Sequence, residues 1–192
     1  MIYPIVAYGH PVLRKAAADI TPDYPGLSEV IANMWETMYA SNGVGLAAPQ
    51  INRSIRLFVV DSLQIIENLE EEEKKQYPGD QGIKQAFINA RIIGSTGNEW
   101  AYNEGCLSIP RIREDVYRPE EVTIRYVDEH FQPHEHTFNG VTARVIFHEY
   151  DHIEGKLFID YLKPIKRRMI KSKLDDITKG KVNVDYKMTF NK

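Results

Sequence analysis

A single cysteine, Cys106, in a chain of 192 residues leaves no partner for an internal disulfide. That argues against a disulfide-stapled secreted scaffold and suits a reducing compartment, so attention turns to what a lone thiol does. The ordinary answer is a small buried hydrophobe. Long apolar runs are missing too. The opening "MIYPIVAYGHPVLRK" is broken by Pro4 and has no basic stretch ahead of its apolar residues, so neither a signal peptide nor a spanning helix is expected there. A cytoplasmic location without membrane contact is the expectation. Nor is there a repeat or a large charge excess: the formal net charge is -3, with 43% hydrophobic and 27% charged residues, which excludes a disordered chain. The length suffices for one domain, 1–192, that needs no metal or disulfide simply to fold.

The modest net charge hides an asymmetry. Residues 61–80 hold seven acids against two lysines, whereas 163–192 hold ten basic residues against three aspartates. Within the first, "ENLEEEEKKQYPGDQG" is acidic, poor in apolar residues and ended by Pro and Gly, so 62–82 is expected to be a solvated insertion loop between strands. Only the second stretch could favour a polyanion.

Leu27, Ile31, Met34, Trp35 and Met38 recur at helical spacing before Asn42-Gly43, predicting an amphipathic helix of about four turns. Runs rich in β-branched and aromatic residues follow at 55–61, 85–93, 121–128 and 134–140, the last two read as an antiparallel pair. Residues 141–154 return to a helical pattern with Gly155 as its C-terminal cap, and a further helix is expected from Pro164 to about Lys179, leaving 180–192 as a tail. Helices separated by several strands, without a βαβ rhythm, predict the α+β class.

The chemistry starts at "FHEYDHIEG". Residues four apart share a helix face, so His148 and His152 can present imidazole nitrogens to one metal ion, with Glu149 beside it as a general base for bound water. The apolar Val141, Ala143, Val145, Ile146 and Phe147 bury this helix, and a buried His-Glu-His without a metal would be costly. A catalytic site needs a third protein ligand and an open fourth position. The protease arrangement with a third histidine fails because position 158 is Phe158, and no glutamate follows Glu154, leaving aspartates such as Asp160 as weak substitutes. Upstream, Cys106 in "NEGCLSIP" stands in a turn-like segment, and its thiolate would complete a His-His-Cys set. "GVGLAAPQ", 43–50, adds glycines that permit close backbone approach and the amide of Gln50, although a plain helix-terminating loop would read the same.

With GVGLAAPQ, EGCLS and HEYDH in that order, the sequence resembles the peptide deformylases, from "GHPVLRKAA" to "IEGKLFIDYL". The resemblance implies metal ligation by Cys106, His148 and His152, with Glu149 as the acid/base. It implies that Gln50 and the backbone N–H of Leu107 hold a formyl oxygen, and that backbone around Gly45 and Gly105 lies against a peptide. The implied reaction is hydrolysis of the N-formyl group from nascent polypeptides that begin with formyl-methionine, releasing formate. One divalent ion per chain is implied, iron(II) favoured, with zinc, nickel or cobalt also suited to the donor set. The fold expected is then mainly antiparallel sheet packed around a central metal-binding helix, flanked by an N-terminal and a C-terminal helix.

Val141 and Val145 fall on the same helical stripe as the two histidines, so with Val44 they are expected to line a pocket for the methionine side chain. The basic C-terminal segment, including Lys166, Arg167, Arg168, Lys171 and Lys173, is a candidate for docking on the ribosome, with a solvated helix face as the alternative and no sequence-specific nucleic-acid binding implied. Two rival readings differ in chemistry. A metallopeptidase would need the third histidine or glutamate that is missing, and a structural metal site would need a fourth protein ligand.

Overall fold

The computed structural model describes residues 1–191. After the short strand β1 (Ile5–Val6), helix α1 (Leu27–Ala40) buries Leu27, Ile31, Met34 and Met38 on one face, and Asn42, at φ 55°, turns the chain away from it. Strands β2 (Gly45–Ala47) and β3 (Leu57–Asp61) follow, joined through a 3-10 turn over Ala48–Ile51. Two short helices, α2 (Leu63–Asn68) and α3 (Glu71–Lys74), lead to β4 (Lys84–Cys106), β5 (Ile109–Val127) and β6 (Pro133–Asn139). Helix α4 (Gly140–Ile153), helix α5 (Pro164–Thr178) and strand β7 (Met188–Thr189) complete the order.

Strands β2 to β6 make one antiparallel sheet in sequence order, and β7 returns to pair in parallel with β1. The class is α+β, as expected. α4 is the central helix. Its Val141, Val145 and Ile146 pack against Phe58, Phe87, Val122 and Ile124 of the sheet. Ile146 is wholly buried, worth about 1.5–3 kcal/mol relative to leaving it exposed.

Three stretches differ from the expectation. Strands were expected at 85–93 and 121–128, but β4 and β5 form one continuous long hairpin reaching Cys106. Register shifts at Ile88/Arg91, Ile92/Gly94 and Thr96/Glu99 break the two-residue alternation that would have marked it. The stretch expected as a loop, 62–82, carries α2 and α3 and is tied to α4. Ser62 and Thr142 hydroxyls meet at 2.7 Å, and Asp80 accepts from the Thr142 N–H at 2.9 Å and its hydroxyl at 2.6 Å. Asn139 provides no side-chain cap for α4, so the Asp80 carboxylate takes that place, where the helix dipole also favours negative charge. Of the expected tail, Met188–Thr189 instead form β7, and Val182, Met188 and Phe190 pack against the apolar cluster that holds Val6, Leu13, Ile109 and Ile170. Lys192 lies outside the described residues.

Candidate metal centre

The apolar early turns of α4 sink into the sheet and carry its polar end inward with them. One turn apart, the His148 and His152 rings lie 5.2 Å apart between centroids. The turn between β4 and β5 delivers Cys106 to the same place: its Sγ is 3.2 Å from His152 Nε2, and the donor atoms of Cys106, His148 and His152 all lie within 4.8 Å of one another. His148 engages Glu104 through Nδ1 at 2.9 Å and so offers Nε2 to the group. A thiol and two imidazoles this close can converge on one divalent ion, and the set suits zinc, iron(II), nickel or cobalt. Among the described residues, no other group of histidine, cysteine and acidic side chains is gathered in this way. Asp160 is elsewhere, paired with Arg14 at 2.5 Å and accepting from the Leu157 N–H at 2.9 Å. Phe158 stacks on His148 with centroids 6.0 Å apart.

Behind the histidines lies a buried charge network. Glu104 takes Arg118 Nε at 2.7 Å and Nη2 at 3.1 Å, and Arg144 Nη1 at 3.1 Å, as well as His148. Arg118 continues to Asp151 at 2.7 Å, whose other oxygen accepts from the Tyr161 hydroxyl at 2.9 Å. Burial works against the Glu104 carboxylate, but the bonds from His148 and Arg118 outweigh it and hold the group well below the ordinary carboxylate range. An ionised acceptor on Nδ1 orients the imidazole and fixes which nitrogen is free.

Cys106 and His148 open onto a cavity of about 680 Å³, whereas His152 is buried and does not line it. Glu149 projects into it, and its Oε2 finds no hydrogen-bond partner among the described residues. Burial pushes its pKa up to about 7, in the range of a group that both takes and returns a proton near neutrality. Gln50 is held by its Oε1, which accepts from the Ala47 N–H at 2.8 Å, so that Nε2 points to Cys106 Sγ at 3.5 Å and Ser108 Oγ at 3.4 Å. Leu107 lines the same cavity and follows Cys106 directly. Gly45 lies against the general-base candidate as well as the cavity: a Cβ there would come within 2.5 Å of Glu149 Oε1. Gly105 also lines the cavity, and a Cβ on it would come within 2.7 Å of Arg113.

Val44 and Val145 line the cavity, but Val141 does not. Val141 shares the angular stripe of His148, yet seven residues put it about 10 Å further along the axis, where it packs into the core instead. Residues not singled out in the sequence complete the walls. Ile65 comes from α2, and Asn183 to Tyr186 come from the C-terminal segment. Glu104, Arg118, Arg144 and Asp151 were missed as well. Glu104 stands inside the EGCLS segment, but nothing in a single sequence joins it to a histidine 44 residues on.

The family model for polypeptide deformylase matches residues 2–168. A peptide deformylase of Christiangramia forsetii is 55% identical, over 99% of this chain and 96% of the relative, and one of Flavobacterium johnsoniae is 54% identical over the same shares. Among solved structures, a peptide deformylase from Legionella pneumophila superposes with a TM-score of 0.78 at 37% identity, covering 94% of this chain and 98% of that one. The peptide deformylase of Thermus thermophilus gives 0.79 at 33% identity, covering 94% and 99%.

Proposed function

Since this chain belongs to the peptide deformylase family, whose metal-dependent reaction removes the N-formyl group from nascent polypeptides, we infer that Cys106, His148 and His152 hold the ion and that Glu149, Gln50 and Leu107 carry the chemistry. The observation that carries the assignment is the convergence of one thiol and two imidazoles at the wall of a cavity that Cys106 and His148 share with Glu149 and Gln50. The catalytic unit is the single domain 1–192.

A divalent ion in this set supplies Lewis acidity and lowers the pKa of a water molecule. Glu149 accepts the proton of the attacking water and returns it to the leaving nitrogen as the formyl carbon–nitrogen bond breaks, giving formate and a free amine. Gln50 Nε2 and the Leu107 N–H donate to the formyl oxygen as it gains negative charge. Val44, Val145 and Ile65 give the methionine side chain an apolar surface, while Gly45 and Gly105 let the peptide backbone approach. Iron(II) is the ion favoured by resemblance within the family.

The test pairs formate release from a formyl-Met peptide with metal analysis of protein purified without air. Glu149→Gln should keep about one ion per chain while turnover falls by ~10² or more. Cys106→Ala and His152→Ala should lose ion and activity together, because each removes a direct ligand bond. An active Glu149→Gln would remove it as the base, and zinc in place of iron would correct the metal. Cleavage of an unformylated peptide would point to a peptidase instead.

Among the described residues no helix is long and apolar enough to cross a membrane, and a cytoplasmic site of action is part of the same reading. Ribosome docking through α5 is proposed on its exposed Arg167 and Arg168, which stand beside the exposed apolar Ile165 and Met169. Reversing the charge of Lys166, Arg167 and Arg168 should then abolish co-sedimentation with ribosomes at low salt, and undiminished binding would end that proposal.

A further inference from the structure

Cys106 precedes a two-residue turn, Leu107–Ser108, and pairs across it with Ile109. Two-residue hairpin turns match the twist of their strands when central residues take positive φ. Neither Leu107 nor Ser108 does. Both of the turn's carbonyls are instead held from outside: Ser108 O accepts from the Tyr8 N–H at 2.8 Å, and Leu107 O accepts from the Tyr186 hydroxyl at 2.7 Å. Next to the turn the register jumps from Cys106–Ile109 to Gly105–Arg113. Arg111, in the bulge so formed, sits at φ 62° and donates from Nε to Asn183 O at 2.8 Å. One short segment, 183–186, therefore ties down both irregular features next to Cys106.

That segment is itself anchored. Ile5 N–H donates to Lys187 O at 2.9 Å and Ala7 N–H to Thr189 O at 2.8 Å, while Val182, Met188 and Phe190 pack into the core beside it.

The geometry points to Tyr186 as a positioning residue for deformylation: its hydroxyl fixes the Leu107 carbonyl and thereby the turn that aims the Leu107 N–H at the formyl oxygen. This rests on the oxyanion role given to Leu107 above. The peptide carrying that N–H is held on one side by the Cys106–Ile109 pair and on the other by the tethered carbonyl. Freeing one side leaves the donor to wander without emptying the cavity or removing a metal ligand.

Tyr186→Phe in the full chain deletes only the hydroxyl. It should lower kcat for a formyl-Met peptide about three- to tenfold, the scale of one lost hydrogen bond, with the loss falling on kcat more than on KM, metal content unchanged and the melting temperature lower by only about 2–4 °C. In the zinc-loaded form of the same variant, where the ion is diamagnetic, the Leu107 amide should shift in the 1H–15N spectrum and its order parameter should drop from a rigid value of ~0.85. An unaltered kcat, an unmoved Leu107 amide, or a loss that falls wholly on KM or comes with lost metal would overturn the proposal. Adding formate to the zinc-loaded wild type reads the underlying assignment separately. A Leu107 amide that ignores formate overturns the oxyanion role and the proposal together, whereas one that responds while Tyr186→Phe behaves as wild type overturns only the tether.

Discussion

Two histidine–carboxylate pairs stand in this molecule at nearly the same distance, His148–Glu104 at 2.9 Å and His134–Asp128 at 2.8 Å, and they do different things. The first is enclosed, its side chains 11% and 3% exposed, and the second is open, at 34% and 22%. Around Glu104 the other partners are two buried arginines, so water cannot compete and the imidazole keeps one orientation. Around Asp128 they are the backbone N–H groups of His130 and Gln132, at 2.8 and 2.9 Å, which makes it a clip for the turn between β5 and β6. His134 stacks on Tyr126 there. The pair distance alone does not define a role; the enclosure and the third and fourth partners do.

Breaking the enclosed pair should have the larger effect. Glu104→Gln preserves shape but leaves Arg144 and one side of Arg118 buried without their counter-charge, a loss of about 3–5 kcal/mol in denaturant unfolding. With the ionised acceptor gone from His148 Nδ1, metal affinity should fall ~10–100-fold in a competitive chelator titration. Wild-type stability in that variant would mean that Arg118 is sufficiently compensated by Asp151 and Arg144 by the Val116 and Trp100 carbonyls.

The same contrast explains what could be read from the sequence. His148, Glu149 and His152 were legible because a helix converts a spacing of four into a shared face, a purely local rule. Cys106, Gln50 and Leu107 were legible through ordered segments and resemblance. Glu104, Arg118 and Arg144 were not, because their meeting depends on β4, β5 and α4 coming together in space. Val141 failed for a related reason: helical period gives angle, and the cavity also asks for height along the axis. The long β4–β5 hairpin was hidden by its bulges. The C-terminal segment is a different case, since Val182, Val184, Tyr186, Met188 and Phe190 alternate strictly with polar residues, the mark of a half-buried extended strand. That signal was present, interleaved with Asn183, Asp185, Lys187 and Thr189, but the segment was expected as a tail.

Breaking the open pair should sharpen the comparison from its weaker side. The hydrogen bond from His134, then those from the backbone of the turn, hold Asp128 below its ordinary value of 3.8, at about 2. A carboxylate whose folded pKa lies below its unfolded one binds fewer protons when folded. Its contribution is therefore fully present above about 4 and is lost as pH falls through about 2. Asp128→Asn should accordingly melt only slightly below the wild type at neutral pH, with the gap narrowing as pH falls below about 4. Because Asp128 clips a turn and touches no residue of the cavity, formate release and metal content should be unaltered. Parallel melts of the two proteins down the acid range, with metal analysis at neutral pH, check this. A constant gap would show that the side chain's shape, rather than its charge, holds the turn, and lost metal would show that the two pairs are coupled after all.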